Sequence, residues 1–248
     1  MKKKQKFWKR KYSVKLKKYL ERQRRAKYRK KHQLEKLKAS ITDPIKDATP
    51  VIEPIQRGDE KNTKLWSELV KKHHPLPFRG SMGRYIRFFI KDANTGEIIG
   101  CASLGSAVLF SEARDKWIGW NKKQRLRNLT KVANNRRFLL LQHVKVPNLA
   151  SKVLSLLEKA GKKEWKKRYG DPLVLLETFI EPSHLGTCYK AANWELVGYT
   201  KGFLHYVPTA LKRSMGGGAR TSRYVFTGEQ KAIFVRPLHP RWQKELLQ

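Results

Sequence analysis

From about residue 80 onward, the apolar residues fall into short runs whose spacing is typical of strands. GRYIRFFIKD (83–92) is followed by ANTGE (93–97) and IIGCASLGSAV (98–108), which predicts two strands joined by a hairpin turn. RFLLLQHVKV (137–146) and DPLVLLETFIE (171–181) are almost continuously apolar, as expected of buried strands. The pattern therefore predicts a sheet that contains buried strands.

Helical spacing lies between these runs. Residues 149–170 predict a long amphipathic helix. Its apolar stripe holds Leu149, Val153, Leu156, Leu157 and Trp165. Short helices are expected at 63–73 and 185–194, a short strand at KWIGW (116–120), and a final strand at ELVGYTKGF (195–203). Because strands and helices alternate, the fold class is predicted to be mixed α/β.

The stretch ITDPIKDATPVIEPIQRGDE (41–60) differs from both patterns, since it holds three prolines and several acids. Proline fixes φ and removes a backbone donor, so regular structure is expected to stop here. The chain is therefore predicted to divide into a segment of residues 1–40, a linker of residues 41–62 and an α/β domain of residues 63–248.

Residues 1–40, called the basic arm below, carry 14 Lys and 5 Arg against Glu21 and Glu35, a net charge of +17. The whole chain of 248 residues has a net charge of +36. Solubility needs only about 2–8 net charges on a small domain, so the excess indicates a polyanionic partner, most commonly nucleic acid. The arm has no Gly or Pro and consists mostly of good helix formers, which predicts a helix.

In this interpretation the basic arm contacts phosphates, and an aromatic side chain among the lysines stacks on bases of DNA or RNA. The arm residues assigned to binding are Lys2, Lys3, Lys4, Lys6, Trp8, Lys9, Arg10, Lys11, Lys15, Lys17, Lys18, Arg22, Arg24, Arg25, Lys27, Arg29, Lys30 and Lys31. The candidates elsewhere, which include NNRRF and the Gly-rich stretch SMGGGARTSR, are Arg114, Asn135, Arg136, Arg137, Arg220 and Arg223.

Cysteine usage and hydropathy indicate in which cellular compartment the protein is expected. Cys101 and Cys188 form neither a metal-ligand spacing nor a disulfide framework, which favours a reducing environment. No apolar run reaches the roughly 18 residues of a membrane span, and the N-terminus lacks the apolar core of a signal peptide. The expectation is a cytoplasmic protein that does not contact a membrane.

Two carboxylates stand near apolar sequence. Asp115 follows Arg114, and Glu177 interrupts an apolar strand. A pair of carboxylates at strand ends can bind Mg²⁺ and support phosphodiester cleavage, which gives a metal-dependent nuclease or strand-transfer enzyme as one alternative. A buried charge is costly unless it is paired, so the other alternative is an ion pair of Glu177 with Arg114 or Arg137.

Residues 114–202 hold the most specific motifs of the chain: RD-x-x-IGW, NN-x-RF, LAS, LETF and GTCY-x-AANW. With HHPLP and GRYIRFFI in front of them, they resemble the DruA family, named for a component of the Druantia anti-phage defence system. The resemblance covers about residues 68–245 and leaves the basic arm outside. It implies a prokaryotic defence or mobile-element setting, with other defence or transposition proteins as further partners.

The order of elements from Arg137 onward also resembles the GCN5-related N-acetyltransferase fold. In that fold a strand leads into a helix whose N-terminus holds the acyl-CoA pyrophosphate, and a strand, a short helix with a Tyr and a last strand follow. The resemblance implies an acetyltransferase-like mixed sheet with flanking helices, and an acyltransferase with Tyr189 as general acid. The loop VPNLAS (146–151) departs from the family, which has glycines there so that the backbone can approach the pyrophosphate.

The leading expectation from the sequence is a nucleic-acid-binding protein whose basic arm supplies affinity. The α/β domain is expected to recognise a nucleic-acid structure or a protein partner. The metal-dependent nuclease and the acyltransferase remain the two alternatives.

Overall fold

The structure, a computed structural model, describes residues 44–76, 83–206, 223–226 and 229–248, and for 203–206 and 223–226 it describes the backbone. The predictions for the basic arm and for Arg220 lie outside these ranges, as does the side chain of Arg223.

The described residues form nine strands, six α-helices and one short 3₁₀ helix (Leu129–Lys131). The strands are β1 (Pro50–Pro54), β2 (Tyr85–Asp92), β3 (Ile98–Ser106), β4 (Val132–Leu140), β5 (Leu175–Ile180), β6 (Glu195–Tyr199), β7 (Phe203–Tyr206), β8 (Arg223–Phe226) and β9 (Ala232–Pro237). The helices are α1 (Glu60–His73), α2 (Glu112–Ile118), α3 (Lys122–Asn128), α4 (Leu149–Tyr169), α5 (Thr187–Ala191) and α6 (Trp242–Leu247).

Seven strands form one mixed sheet in the order β1-β2-β3-β4-β5-β9-β6, and β7 pairs with β8 separately. β4 and β5 are parallel, and every other neighbouring pair in the sheet is antiparallel. A parallel pair needs a long crossover, and the helix α4 supplies it.

Apolar side chains on the two faces of the sheet pack under different helices. The α4 face holds the largest cluster, in which Phe88, Leu104 and Phe234 pack with apolar residues of the helix. The opposite face packs Phe89, Cys101 and Leu139 under Trp66 and Val70 of α1, and farther along it packs Leu175 and Val235 with Ile118 of α2 and Leu246 of α6. The alternation of adjacent residues between faces follows from the strand period of two.

The two parallel strands separate soon after they begin. β4 and β5 pair at three positions, which end with Asn134 opposite Glu177. The Thr178 hydroxyl then donates to the main-chain oxygen of Asn135 at 3.1 Å. Beyond that point β4 continues along β3 and β5 continues along β9, so a cleft opens between them.

The predicted α/β class and the order strand, long helix, strand, short helix, strand are confirmed by β4, α4, β5, α5 and β6. The β2–β3 hairpin and helix α1 are confirmed as well. β4 begins at Val132, earlier than the prediction, because the buried residues Val132 and Ala133 belong to the strand and the polar residues 134–137 separate them from the apolar run that follows.

Two predictions for single elements are wrong. KWIGW is not a strand, because Lys116, Trp117 and Ile118 end helix α2 and Gly119 terminates that helix at φ +84° with its N–H bonded to the Asp115 carbonyl. Residues 195–203 do not form the final strand of the chain. Their strand β6 lies at the edge of the sheet, and the later strand β9 lies between β5 and β6. The order of antiparallel strands in space is not fixed by their order in sequence.

The structure also differs from the predicted linker. Residues 50–54 form the edge strand β1, in which Val51 lies opposite Lys91 of β2. Pro50 and Pro54 stand at the two ends of this edge strand, where a missing backbone donor is tolerated. Ile45 forms a further β-bridge with Val144, so the described part of this segment packs against the domain.

Candidate nucleic-acid interface and adjoining cleft

Three arginines gather where β2 and β4 flank β3, on the sheet face that also packs α1. Arg87 lies opposite Ser103, and Ser103 lies opposite Arg137, so these three side chains form one row across the strands. We call Arg87, Arg136 and Arg137 the arginine surface. Arg136 is exposed, and the other two are half-buried.

A β-bulge brings Arg136 to the same face as Arg137. The register moves from Asn135 opposite Leu104 to Arg137 opposite Ser103, so Arg136 is an extra residue in β4. Its stem crosses Gly105, where a Cβ would meet Arg136 Cδ at 2.5 Å. Gly105 therefore leaves room for the Arg136 stem on this face.

Aromatic rings support these guanidinium groups. Arg87 lies 4.9 Å from the ring centroid of Tyr85, and Arg136 lies 6.0 Å from it. Arg84 lies outside this surface, since its guanidinium is 4.9 Å from the ring of Tyr169 at the end of α4 and pairs with Asp171 at 2.5 Å. Stacking on aromatic faces holds guanidinium groups in fixed orientations, which suits contacts with planar or tetrahedral anions.

Burial raises the pKa of Tyr85, and the positive charges of Arg87, Arg137 and Arg136 act against that rise. Burial also lowers the pKa of Arg137, and the neighbouring charge of Arg136 lowers it further. Both effects show that positive charge is concentrated here. A bound anion would relieve the repulsion between the guanidinium groups.

The cleft between β4 and β5 adjoins the arginine surface. It has a volume of about 500 Å³ and extends from the end of α1 to α5. Its lining residues include His74, Asn135, Arg136, Phe138, Thr178, Glu181, Leu185, Cys188 and Tyr189. Arg136 therefore belongs to both the arginine surface and the cleft.

Tyr189 lies at the floor of the cleft and is buried. Its hydroxyl lies 3.3 Å from the side-chain amide of Asn135, and its ring packs edge-on against Trp194 at 5.0 Å. Burial raises the pKa of Tyr189, so the phenol keeps its proton. Gly186 (φ +65°) directly precedes α5. A Cβ at this position would meet the Phe234 ring at 2.9 Å, so a larger residue would displace the ring.

The carboxylates predicted as a catalytic pair belong to a buried ion network instead. Arg114 is fully buried, and its Nη1 donates to Glu177 at 2.7 Å. Its Nε and Nη2 donate to one oxygen of Asp115 at 2.9 and 2.7 Å, and Arg125 donates to the other oxygen at 3.1 Å. The ion-pair interpretation of Glu177 is thus confirmed, with Arg114 as the partner.

Glu177 also fixes the loop that follows β3. Its second oxygen accepts from the Val108 amide at 2.9 Å, and Arg114 donates to the Val108 carbonyl at 2.9 Å. Burial raises the pKa of Glu177, and the Arg114 guanidinium and the Val108 amide act to lower it. The network joins the loop after β3 to β5 and to helix α2.

Two assignments change as a result. Arg114 is not a nucleic-acid contact, because its side chain is fully buried between two carboxylates. The space between Asp115 and Glu177 that a metal ion would need is filled by the Arg114 guanidinium. Among the described residues, no three His, Cys, Asp or Glu side chains are grouped so that they could hold a metal ion.

The profile of the family described as Druantia protein DruA matches residues 2–239 of this chain. The chain belongs to the DruA family. The DruA match takes in the basic arm, so the expectation that the family resemblance begins at about residue 68 is wrong. The arm is part of what DruA sequences share with this chain.

Several solved structures are similar at low identity. An aminoglycoside acetyltransferase in complex with coenzyme A and kanamycin is 15% identical over 79% of this DruA chain and 98% of its own, with a TM-score of 0.43. Spermidine N-acetyltransferase from Vibrio cholerae, in complex with CoA and spermine, is 9% identical over 76% and 95%, with a TM-score of 0.43. No curated protein matches the chain.

The structure brings together part of what the sequence predicted. Asn135 and Tyr189 meet at the cleft floor, and Arg136 and Arg137 lie beside it. Sequence reasoning missed Arg87, although Tyr85 and Arg87 are two residues apart in a strand and must share a face. Among the described residues, no helix is long and apolar enough to cross a bilayer.

Proposed function

We propose that this member of the DruA family binds nucleic acid as part of a prokaryotic anti-phage defence system. The arginine surface is the observation that carries the proposal. Its guanidinium groups lie on one face of the sheet beside a cleft, and the Tyr85 ring supports those of Arg87 and Arg136. Arginine binds phosphate oxygens through paired N–H donors, and such contacts position a backbone without reading sequence.

The basic arm extends this proposal to affinity. It supplies +17 of the net charge of +36 and lies within the family match. Lysine and arginine in such a segment release counterions from a nucleic acid, which gives strong and salt-dependent binding. The arm therefore supplies most of the affinity, while the arginine surface places the backbone beside the cleft. Other proteins of the same defence system are the further partners that the family suggests.

A metal-dependent nuclease is supported less well. The proposal needs Asp115 and Glu177 to be open to a cation, whereas Arg114 neutralises both. Truncating Arg114 would leave the buried Glu177 carboxylate without its partner, and it would not create a metal site.

Acyl transfer is favoured by one observation, the position of Tyr189 at the floor of a cleft between parallel strands. The loop before α4 argues against it. Asn148 stands there at φ +56°, without a glycine, and the backbone of His143 and Lys145 is already bonded to Ile45. The phosphates of an acyl-CoA would lack the close backbone approach that the loop needs to provide.

Neutralising the arginine surface tests the proposed function. We expect Arg87→Gln combined with Arg136→Gln to lower the affinity for nucleic acid about tenfold, because two phosphate contacts are lost. The plot of log K against log salt should become shallower by about 1.8 on duplex DNA, or about 1.4 on single strands. Fluorescence anisotropy with labelled DNA and RNA, single-stranded and duplex, measures both quantities.

The matched control removes two charges elsewhere. Lys159 and Lys163 are exposed on α4, and Lys159→Gln with Lys163→Gln lowers the net charge equally. This control should change the affinity less than about threefold, since only the general field is reduced. Equal losses in the two double variants would show that overall charge, and not the arginine surface, determines binding.

A further inference from the structure

From the cleft beside the arginine surface, we infer that it receives one unpaired base of the bound nucleic acid. The inference rests on the proposed function, since the arginine surface must first hold the backbone. It adds a ligand class to the cleft: a nucleotide of a single strand, whose base is unpaired. A base that stays paired and stacked cannot enter a side cleft.

The first support is position. Arg136 lies over Tyr85 on the arginine surface and also lines the mouth of the cleft. A phosphate held by this guanidinium therefore places the base of the same or the next nucleotide at the cleft. No other anchoring group is required between the two sites.

The second support is size and composition. A volume of about 500 Å³ lies within the range of roughly 300–1,000 Å³ for small-molecule sites. Phe138 offers an aromatic ring, and Ile180 and Leu185 offer apolar surface. Bases stack on an aromatic ring without sequence preference.

The third support is the hydrogen-bonding floor. In the amide orientation that satisfies its neighbours, Asn135 donates to the main-chain oxygens of Ser103 and Arg137 and accepts from the Tyr189 hydroxyl. The Tyr189 oxygen keeps lone pairs that can accept from a base amino or imino group. Packing on three sides fixes this hydroxyl at the end of the cleft.

The charge at the rim is also suitable. Glu181 is the acid that lines the cleft, and Lys231 pairs with it at 2.7 Å. The carboxylate is thus neutralised, while Arg136 remains a cation beside the opening. The rim attracts a phosphate and the interior suits an uncharged ring.

Cys188 gives a direct readout of occupancy. The chain has two cysteines, of which Cys101 is fully buried and Cys188 is half-buried and lines the cleft. N-ethylmaleimide should therefore label Cys188 selectively. Burial raises the pKa of the Cys188 thiol, so labelling is followed by mass spectrometry at pH about 9, where more thiolate is present.

The test compares the full chain alone, with a saturating single-stranded oligonucleotide, and with a duplex of the same length. We expect the single strand to slow labelling at least about tenfold, because a cleft filled nine tenths of the time is open for one tenth. The duplex should change the rate less than about twofold. The Cys188→Ser variant, which should take up no fast label, identifies the reacting thiol.

The outcomes separate the inference from the proposed function. If anisotropy shows that the single strand is bound while Cys188 reacts at the free rate, the cleft is not a base site. Equal protection by single strand and duplex also overturns the inference, because it indicates cover by the backbone. If neither oligonucleotide binds, the proposed function itself fails.

Photo-cross-linking gives a second measurement that does not depend on thiol reactivity. A single strand containing 5-iodouracil should cross-link to Phe138 and to the cleft segment 178–189. Cross-links confined to the basic arm and the arginine surface would overturn the inference.

Discussion

Arg114→Met should lower the free energy of unfolding by about 3–5 kcal/mol, the largest effect that we expect from a single substitution in this domain. Glu177 has no exposed surface, and the substitution leaves its carboxylate without the guanidinium that lies 2.7 Å away. The Val108 carbonyl also loses its donor, so the loop after β3 is released. Urea denaturation of the purified variant measures the loss.

A double variant keeps this result interpretable even where the single variant does not fold. Arg114→Met with Glu177→Leu removes both buried charges, and Asp115 keeps Arg125 as its partner. We expect it to recover more than half of the lost stability, because apolar replacements of a buried pair are often neutral. A loss of less than about 1 kcal/mol in the single variant, or losses that add in the double, would contradict this role for the network.

Deletion of residues 2–40 should produce the largest change in binding. The net charge of the chain falls from +36 by 17, and the contacts of the basic arm with phosphates are lost. We expect the affinity for nucleic acid to fall about 100-fold or more at physiological salt. The dependence on salt should weaken by about 0.9 for each duplex phosphate contact removed. Anisotropy titrations of the two chains at several salt concentrations measure both.

A scrambled arm is the control for this deletion. It keeps the 14 Lys and 5 Arg of residues 1–40 in a different order. If the arm acts through charge, the scrambled chain should bind within about threefold of the natural chain. If deletion leaves affinity and salt dependence unchanged, the arm has no part in binding.

Much of the fold could be predicted because the local patterns agree with the tertiary structure. The stripe on α4 and the apolar runs of β4 and β5 mark elements whose burial is set by their own sequence. KWIGW could not be assigned in this way, since its two tryptophans suggest a strand while Gly119 ends a helix. β9 was missed as a sheet member because its neighbours come from distant parts of the chain.

The candidate site was predicted less completely, for a physical reason. Arg136 and Arg137 are adjacent in sequence and would face opposite sides of a regular strand. A bulge opposite Ser103 and Leu104 places both on one face, and a bulge depends on the partner strand as well as on the local sequence. The role of Glu177 could not be predicted from local sequence either, because its partner Arg114 lies 63 residues away in the chain.

The central claim is that the chain binds nucleic acid mainly through phosphate contacts, and a salt titration of the full chain tests it most directly. The measurement is the affinity for a mixed-sequence DNA duplex as salt rises from about 50 to 200 mM. With six to ten phosphate contacts, we predict a linear fall of log K against log salt and a loss of about 10³–10⁵ in affinity. No binding at the lowest salt, or an affinity that does not change with salt, would contradict the claim.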